Sequence, residues 1–287
     1  MYCCGPTVYD DCHLGHAFTY IRCDLFRRVL DNYCGIYVLM AMNITDIDDK
    51  IITKAKQTNS DFKSVANFYY NSFIEDMHSL NIMSANCYLR VSDHMINIID
   101  YIKHIYKKGF AYIGSNGDLN FDFNHFIKTF NITNSFGTDS PPITEKSLGK
   151  KSPKDFALWK SAKAGEPKWH FVTHDGITFS GRPGWHIECS ALAQTVFGNQ
   201  IDLHFGGIDL MFPHHHCESC CSHAFQQTDD SKPLYSWANI WLHSGHLILK
   251  SEKMSKSLGN VISIKQFLSE NSANILRLFC IRTHYRS

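Results

Sequence analysis

Hydrophobic and polar positions follow two different periods along the first part of the chain, and these periods predict alternating strands and helices. Residues 2–9 form a short apolar segment that runs into a turn, and residues 17–30 carry apolar side chains at helical spacing. Residues 36–42 are continuously apolar, which is typical of a strand buried on both faces. The order strand, helix, strand predicts the beginning of a doubly wound parallel sheet in an α/β fold.

The predicted alternation of strands and helices continues through residue 109. The spacing predicts helices over residues 61–83 and 94–109, with a strand at residues 88–91 between them. Thr45 or Asp46 is expected to cap the helix that follows the second strand, because both residue types accept hydrogen bonds from free amide groups.

The pattern changes near Lys108. Residues 110–180 contain short alternating runs separated by turn residues, which indicates a mostly β insertion. From Gly184 the buried pattern returns, with a helix at 185–197, a strand at 201–205, a helix starting at Pro213 and a strand at 240–243. We therefore predict three segments: 1–109 as the first half of the α/β domain, 110–180 as a connecting insertion and 181–245 as the second half.

Composition narrows the class of protein. Hydrophobic residues make up 44% of the 287 residues and charged residues 19%, so the chain can bury a core. The net charge of +1 excludes a polybasic or polyacidic protein, and no run reaches the roughly 18 apolar residues of a membrane span. The 11 cysteines and 17 histidines indicate a reducing compartment and allow a metal site.

The first candidate motif is His13-Leu14-Gly15-His16, which follows the first strand and opens a helix. The amino end of a helix favours phosphate, and Gly15 allows close approach of a nucleotide. Imidazoles at this position can donate hydrogen bonds to charge that develops on a phosphate. The alternative interpretation is two ordinary polar histidines in a loop.

The second candidate motif lies near the carboxyl end of the sequence. Lys253 and Lys256 stand three residues apart among small side chains, in a loop that can close over a triphosphate and neutralise it. A solvated basic loop is the alternative. Both motifs together, in this order, indicate a nucleotide-dependent enzyme.

These segments resemble the cysteinyl-tRNA synthetases, a family of class I aminoacyl-tRNA synthetases. The resemblance is carried by CGPTVYD (4–10), HLGH (13–16), NITDIDDK (43–50), GRPGWHIECSA (181–191), HFGGIDLMFPHH (204–215) and EKMSKSLGN (252–260). YLRVSD (88–93) and WLHSGHL (241–247) look most like the mitochondrial form. The resemblance implies a Rossmann-like catalytic domain, with residues 246–287 forming the KMSKS loop and the start of a helical stem.

The resemblance also implies one Zn²⁺, bound by Cys4, Cys189, His214 and Glu218. Residue chemistry agrees, because thiolate, imidazole and carboxylate are zinc ligands and residues 214 and 218 share one face of a helix. The chain departs from the family at His216 and Cys217, where Glu and Asn are usual. Cys217 and Cys220 form a CxxC pair, so a metal held by the histidines and cysteines of this cluster alone is a competing arrangement.

A zinc ion explains how cysteine is distinguished from serine. A pocket of the right size separates these near-isosteres poorly, whereas zinc binds thiolate far better than alcohol. We therefore expect rejection of serine without an editing site. The resemblance further implies that Thr45, Trp185 and His204 line the cysteine pocket, and that Gly206, Gly207 and Asp209 meet the nucleotide.

The expected reaction has two steps. The carboxylate of L-cysteine attacks the α-phosphate of ATP, and the cysteinyl group then passes to the acceptor end of tRNA(Cys). His13 and His16 are expected to stabilise the phosphate, and Lys253 and Lys256 the departing pyrophosphate, with Mg²⁺ bound to ATP. The resemblance implies a mitochondrial matrix enzyme, and a chain that corresponds to the catalytic core without the anticodon-binding domain.

Two other functions remain open from the sequence. One is a ligase of the mycothiol type, which joins activated cysteine to an amino sugar and shares the nucleotide motifs and the zinc. The other is a non-catalytic paralogue that acts as a zinc-binding interaction module.

Overall fold

Helices and short strands alternate along the chain. The computed structural model describes residues 1–132, 149–226, 237–249, 252–253 and 261–286. The helices are α1 (Leu14–Asn32), α2 (Asp49–Gln57), α3 (Phe62–Ser79), α4 (Met95–Lys107), α5 (Phe123–Phe130), α6 (Trp185–Phe197), α7 (His216–Gln226), α8 (Ile264–Glu270) and α9 (Ala273–Arg282). The strands are β1 (Tyr2–Cys3), β2 (Ala41–Ile44), β3 (Cys87–Arg90), β4 (Ala111–Ile113), β5 (Leu119–Phe121), β6 (Phe156–Ser161), β7 (Trp169–Val172), β8 (Thr178–Pro183), β9 (Ile201–Gly207), β10 (Ala238–Ser244), β11 (Ile248–Leu249) and β12 (Glu252–Lys253).

The chain divides into two compact units. The first contains residues 1–92, 202–211 and 240–287, and the second contains residues 93–201 and 212–239. The division made from the sequence, into segments 1–109, 110–180, 181–245 and 246–287, stays a prediction.

The first unit is built on a five-stranded sheet with the order β10-β9-β1-β2-β3. Strand β1 pairs in parallel with both β2 and β9, and β2 pairs in parallel with β3. The strand order therefore reverses at β1, and in such sheets ligands bind beyond the carboxyl ends of the strands at this point. The predicted α/β fold with a parallel sheet is confirmed.

The core of the first unit is contributed by α1, α3 and the sheet. Phe18, Ile21, Ile44 and Phe73 are each at most 1% exposed. Burial of one such side chain stabilises a fold by about 1.5–3 kcal/mol, so this core holds α1 firmly against the strands.

The second unit contains an antiparallel sheet with the order β4-β5-β6-β8-β7. Phe121 lies at its centre, with ring centroids 4.8 Å from Phe156 and 5.5 Å from Phe126 of α5. Helix α6 packs against α4, α7 and β6. The mostly β insertion predicted from the sequence is present, and α5 is an addition to it.

Two boundaries differ from the prediction for physical reasons. The strand expected at 36–42 is observed at Ala41–Ile44, because Ile36 and Tyr37 are 54% and 78% exposed and precede the residues that pair with β1. The residue that caps α2 is Asp48, whose carboxylate accepts from Lys50 N. Asp46 instead accepts one hydrogen bond from Arg90 Nε and two from Ser92, through its N–H and its hydroxyl.

A third difference lies before α7. The segment Met211–His215 is kinked, with Phe212 extended, and α7 itself begins at His216, whereas the sequence predicted a helix from Pro213. Helix α6, by contrast, spans 185–197 as predicted.

Candidate active site and metal-binding residues

The first motif forms the amino end of α1. His13 is the N-cap, and its Nδ1 accepts from Gly15 N at 3.1 Å, while His16 Nδ1 accepts from His13 N at 3.2 Å. A Cβ at residue 15 would lie 2.8 Å from the His13 ring, so only glycine leaves room for it. His13, Gly15 and His16 therefore form one interlocked cap.

This cap fixes where each imidazole carries its proton. A backbone N–H can only donate, so both Nδ1 atoms accept, and the proton of a neutral ring is on Nε2. The ring centroids lie 4.0 Å apart, and both side chains are half-buried. Two Nε2–H donors at the amino end of a helix suit an anion.

The residues after the second motif pair with the first motif. Leu14 N donates to Ile262 O at 3.0 Å, and Ile264 N donates to Cys12 O at 3.3 Å. These bonds flank an antiparallel bridge between His13 and Ser263. The start of α1 is thus held by a segment about 250 residues further along the chain.

The two predicted lysines are described only in part. The main chain of Lys253 lies in β12, opposite Ile248 of β11. The side chain of Lys253 and the whole of Lys256 lie outside the described residues.

The carboxyl end of β9 carries the residues predicted to meet the nucleotide. Gly206 and Gly207 are buried, and Asp209 is exposed in a 3₁₀ turn, Ile208–Leu210, that follows the strand. A Cβ at Gly207 would lie 2.5 Å from Asp209 Oδ1, so the carboxylate would have to move if residue 207 carried a side chain.

Cys4 and Thr45 lie where β1 and β2 end. Cys4 N donates to Phe205 O at 3.1 Å, and Cys4 O accepts from the Tyr20 hydroxyl at 3.3 Å. Cys4 is 5% exposed and Thr45 1% exposed. Both predicted residues are therefore held at the carboxyl edge of the parallel sheet.

Three of the four predicted zinc ligands come together in the second unit. His214 Nε2 lies 2.9 Å from Glu218 Oε1 and 3.5 Å from Cys189 Sγ, and all three side chains are at most 1–2% exposed. Their ligand atoms lie within 4.8 Å of one another. A buried thiol, imidazole and carboxylate form a donor set that fits Zn²⁺.

The charge of this group depends on the carboxylate. Burial alone would lower the pKa of His214, but Glu218 and the hydrogen bonds with Cys189 and Glu218 outweigh it and raise the pKa to about 10. The imidazole therefore carries a proton between two acceptors, at the position a cation would occupy.

His186 is a site residue that the sequence did not reveal. Its Nδ1 lies 3.1 Å from His214 Nδ1. Burial and the positive charge of His214 lower the pKa of His186 to about 3, so its ring is neutral and its Nδ1 can accept a hydrogen bond from His214 Nδ1–H. Such a contact orients a ligating imidazole. Its position three residues before Cys189 on α6 is the one sequence signal for it.

The other predicted pocket residues have clear positions. The Trp185 ring stacks on His214, with centroids 4.0 Å apart, and Trp185 is 37% exposed. His204 is fully buried in β9 and stacks on Trp241 at 4.5 Å. Trp185 is thus beside the metal donors of its own unit, whereas His204 belongs to the first unit.

Additional donors surround the predicted ligands. His215 is buried, and its ligand atom lies within 4.8 Å of that of Glu218, so it offers a second imidazole. His216 Nε2 lies 3.8 Å from Cys220 Sγ. Burial raises the pKa of Cys217 and Cys220 far above the ordinary thiol value, which disfavours the thiolates that metal binding needs. Within the ranges that the structure covers, neither thiol belongs to a group of three or more donors whose ligand atoms all lie within 4.8 Å of one another.

The fold is shared with solved structures of a class I synthetase. A structure of Mycobacterium tuberculosis methionyl-tRNA synthetase in complex with methionyl-adenylate matches 98% of this chain and 64% of its own chain, with a TM-score of 0.70 and 16% identity. A second crystal structure of that protein, bound by methionyl-adenylate, gives a TM-score of 0.69 at 15% identity, with the same coverage.

The sequence defines the family within this class. The model described as "tRNA synthetases class I (C) catalytic domain" matches residues 1–287, and the chain belongs to this family. Pyrococcus furiosus cysteine–tRNA ligase is 45% identical over 289 residues, and the "Probable cysteine--tRNA ligase, mitochondrial" of Xenopus tropicalis is 43% identical over 288.

The relatives are longer than this chain. All of the chain is matched, but it spans 58% of the Pyrococcus furiosus protein and 48% of the Xenopus tropicalis protein. In the part of the chain that the structure covers, no helix has both the length and the apolar character needed to cross a bilayer.

Proposed function

We propose that the chain forms the cysteine-activating part of a cysteine–tRNA ligase. The observation that carries this proposal is the buried trio Cys189, His214 and Glu218, in a chain of this synthetase family. A thiol-seeking metal would select cysteine as the amino acid.

We propose that Cys4 completes the ligand set and that the four residues bind one Zn²⁺. The bound ion would supply a soft Lewis acid that prefers the thiolate of cysteine to the hydroxyl of serine. Trp185, Thr45 and His204 are proposed to line the amino-acid pocket. The stacking of Trp185 on His214 supports a wall next to the metal.

ATP is the proposed second substrate, with Mg²⁺ bound to its phosphates. The cysteine carboxylate attacks the α-phosphorus, and pyrophosphate leaves. The Nε2–H groups of His13 and His16 donate to the phosphate oxygens, and their fixed tautomer supports this role. Lys253 and Lys256 are proposed to neutralise the pyrophosphate, while Gly207 and Asp209 contact the adenosine.

The proposed acceptor is the terminal adenosine of tRNA(Cys), whose hydroxyl attacks the activated carbonyl and releases AMP. The relatives named as cysteine–tRNA ligases support this acceptor over an amino sugar, and the intact nucleotide motifs do not favour a non-catalytic paralogue. We also propose the mitochondrial matrix as the compartment, supported by the Xenopus tropicalis relative and testable by imaging of a tagged protein.

The deciding experiment is ATP–pyrophosphate exchange with cysteine, with serine as the control amino acid. We expect exchange that requires cysteine and is lost when a chelator removes zinc. Charging of tRNA(Cys), with an amino sugar as the alternative acceptor, then identifies the second substrate. Exchange at equal rates with serine would contradict the proposed selectivity, and no exchange at all would contradict the proposed enzyme.

A further inference from the structure

The pairing of β1 with β2 is interrupted just where Cys4 stands. The two strands are in register at Tyr2–Ala41 and Cys3–Met42, and β1 then ends. Pairing resumes beyond a gap, where Thr45 N donates to Pro6 O and Val8 N donates to Thr45 O, each at 3.1 Å. A contact other than main-chain pairing between the strands must hold the intervening residues.

The side chain of Asn43 fills this gap. Its Oδ1 accepts from Gly5 N at 2.8 Å, and its Nδ2 lies 3.4 Å from Thr45 Oγ1. The amide orientation is determined, because the Gly5 N–H can only donate. Asn43 is 1% exposed, so both bonds are shielded from water.

The main chains approach too closely here for any residue but glycine after Cys4. A Cβ at residue 5 would lie 1.8 Å from the carbonyl oxygen of Asn43. The asparagine and the glycine thus determine together how the chain leaves β1, immediately after the cysteine.

We propose that Asn43 is a positioning residue that fixes two site elements through one amide, the main chain that carries Cys4 and the hydroxyl of Thr45. This inference rests on the proposed function, in which Cys4 is a zinc ligand and Thr45 contacts the amino acid. Asn43 sets the position of the Cys4 main chain relative to the Thr45 hydroxyl. Because Nδ2 can only donate, Thr45 Oγ1 accepts in this bond, and its own proton is directed elsewhere.

The test compares three variants in the full chain. Asn43→Ala removes both bonds, whereas Asn43→Asp keeps an acceptor for Gly5 N and removes the donor to Thr45. Asn86→Ala is the matched control, because Asn86 Oδ1 makes the same kind of bond, from Met40 N at 2.8 Å, before β2 begins.

Zinc affinity is measured by competition with a chelator, and KM and kcat are measured by ATP–pyrophosphate exchange. We expect Asn43→Ala to weaken zinc binding about 10–100-fold, as for groups that orient a ligand, and to raise the KM for cysteine without changing the KM for ATP. Asn43→Asp should bind zinc nearly as wild type and keep the raised KM for cysteine. Asn86→Ala should change neither.

Equal effects of Asn43→Ala and Asn86→Ala on zinc affinity and KM would overturn the proposal, since a general loss of stability would then explain both. Should Asn43→Ala not fold, Asn43→Asp decides, because a wild-type KM for cysteine contradicts the role at Thr45. Failure of the wild-type chain to catalyse exchange would instead refute the proposed function. Hydrogen exchange at Gly5 N, expected to be slow in wild type and fast in Asn43→Ala, tests the Asn43 contact independently of activity.

Discussion

The same residue type is placed in opposite environments in the two units. In the first unit, the rings of His13 and His16 are half-buried, and main-chain N–H groups fix their tautomer. In the second unit, His214 is almost fully buried between a thiol and a carboxylate. The comparison shows that backbone donors at Nδ1 leave Nε2–H of His13 and His16 as the free hydrogen-bond donor, whereas a thiol and a carboxylate surround the Nε2 of His214.

The largest effect is expected when a proposed metal ligand is replaced, compared with the replacement of a neighbouring buried thiol. Cys189→Ser should weaken zinc binding at least about 100-fold, since the four proposed ligands would share some 10–16 kcal/mol. Metal content after dialysis measures the loss. Cys220→Ser is the control, because Cys220 is a buried thiol on the neighbouring α7 that contacts His216. A similar loss in both variants would point to the competing metal arrangement in the cluster.

The next largest effect is expected from a substitution that removes the proposed phosphate donor of His13 but keeps the helix cap. His13→Asn keeps a favoured N-cap but removes the Nε2–H donor, so we expect kcat of the exchange reaction to fall about 100–1000-fold with little change in Tm. Asp61→Asn, a cap change on α3, should leave kcat unchanged. A fall in Tm that accounts for the lost activity would argue that His13 acts only as a cap.

The buried carboxyl group of Asp76, in the first unit, is expected to make the stability of the protein depend on pH. Burial raises the pKa of Asp76 to about 6, and Asp11 adds to this while Lys265 opposes it. Because the pKa of Asp76 is higher in the folded than in the unfolded state, the protonated carboxyl contributes its whole stabilisation below about pH 4. This contribution is lost as the pH rises through 6. The loss is at most about 3 kcal/mol. The free energy of unfolding, measured in urea from pH 4 to 7, should fall in wild type but not in Asp76→Asn. The same pH dependence in both proteins would contradict the raised pKa of Asp76.

The smallest effect concerns the orientation of His214. His186→Phe should weaken zinc binding about tenfold, because the ring of His214 loses the acceptor at Nδ1. Chelator competition measures this change. His223→Phe, on α7 and bonded to Ser219 O, is the control and should bind zinc as wild type.

Local sequence signals predicted those parts of the molecule that depend on neighbours along the chain. Helix α6 was predicted at 185–197 from the buried pattern that returns at Gly184. The contact of His214 with Glu218 agrees with their i, i+4 spacing, although His214 precedes the first residue of α7. The strand at 36–42 was wrong, since an apolar run does not reveal which of its residues pair.

Contacts between distant residues could not be predicted in this way. Asn43 contacts Gly5, 38 residues away, and His186 contacts His214, 28 residues away. The N-cap role of His13 was also missed, because helix starts are recognised by Ser, Thr, Asp or Asn. The resemblance named the ligands, but the groups that hold them became visible only in three dimensions.

The bridge between His13 and Ser263 has a consequence for how the protein is made. During synthesis from the amino end, α1 emerges early, yet its first turn stays without these main-chain partners until residues 262–264 leave the ribosome. Contacts of such long sequence separation form slowly, since a large loop must close first. The main-chain pairing at the first turn of α1 is therefore completed only after residues 262–264 have been synthesised.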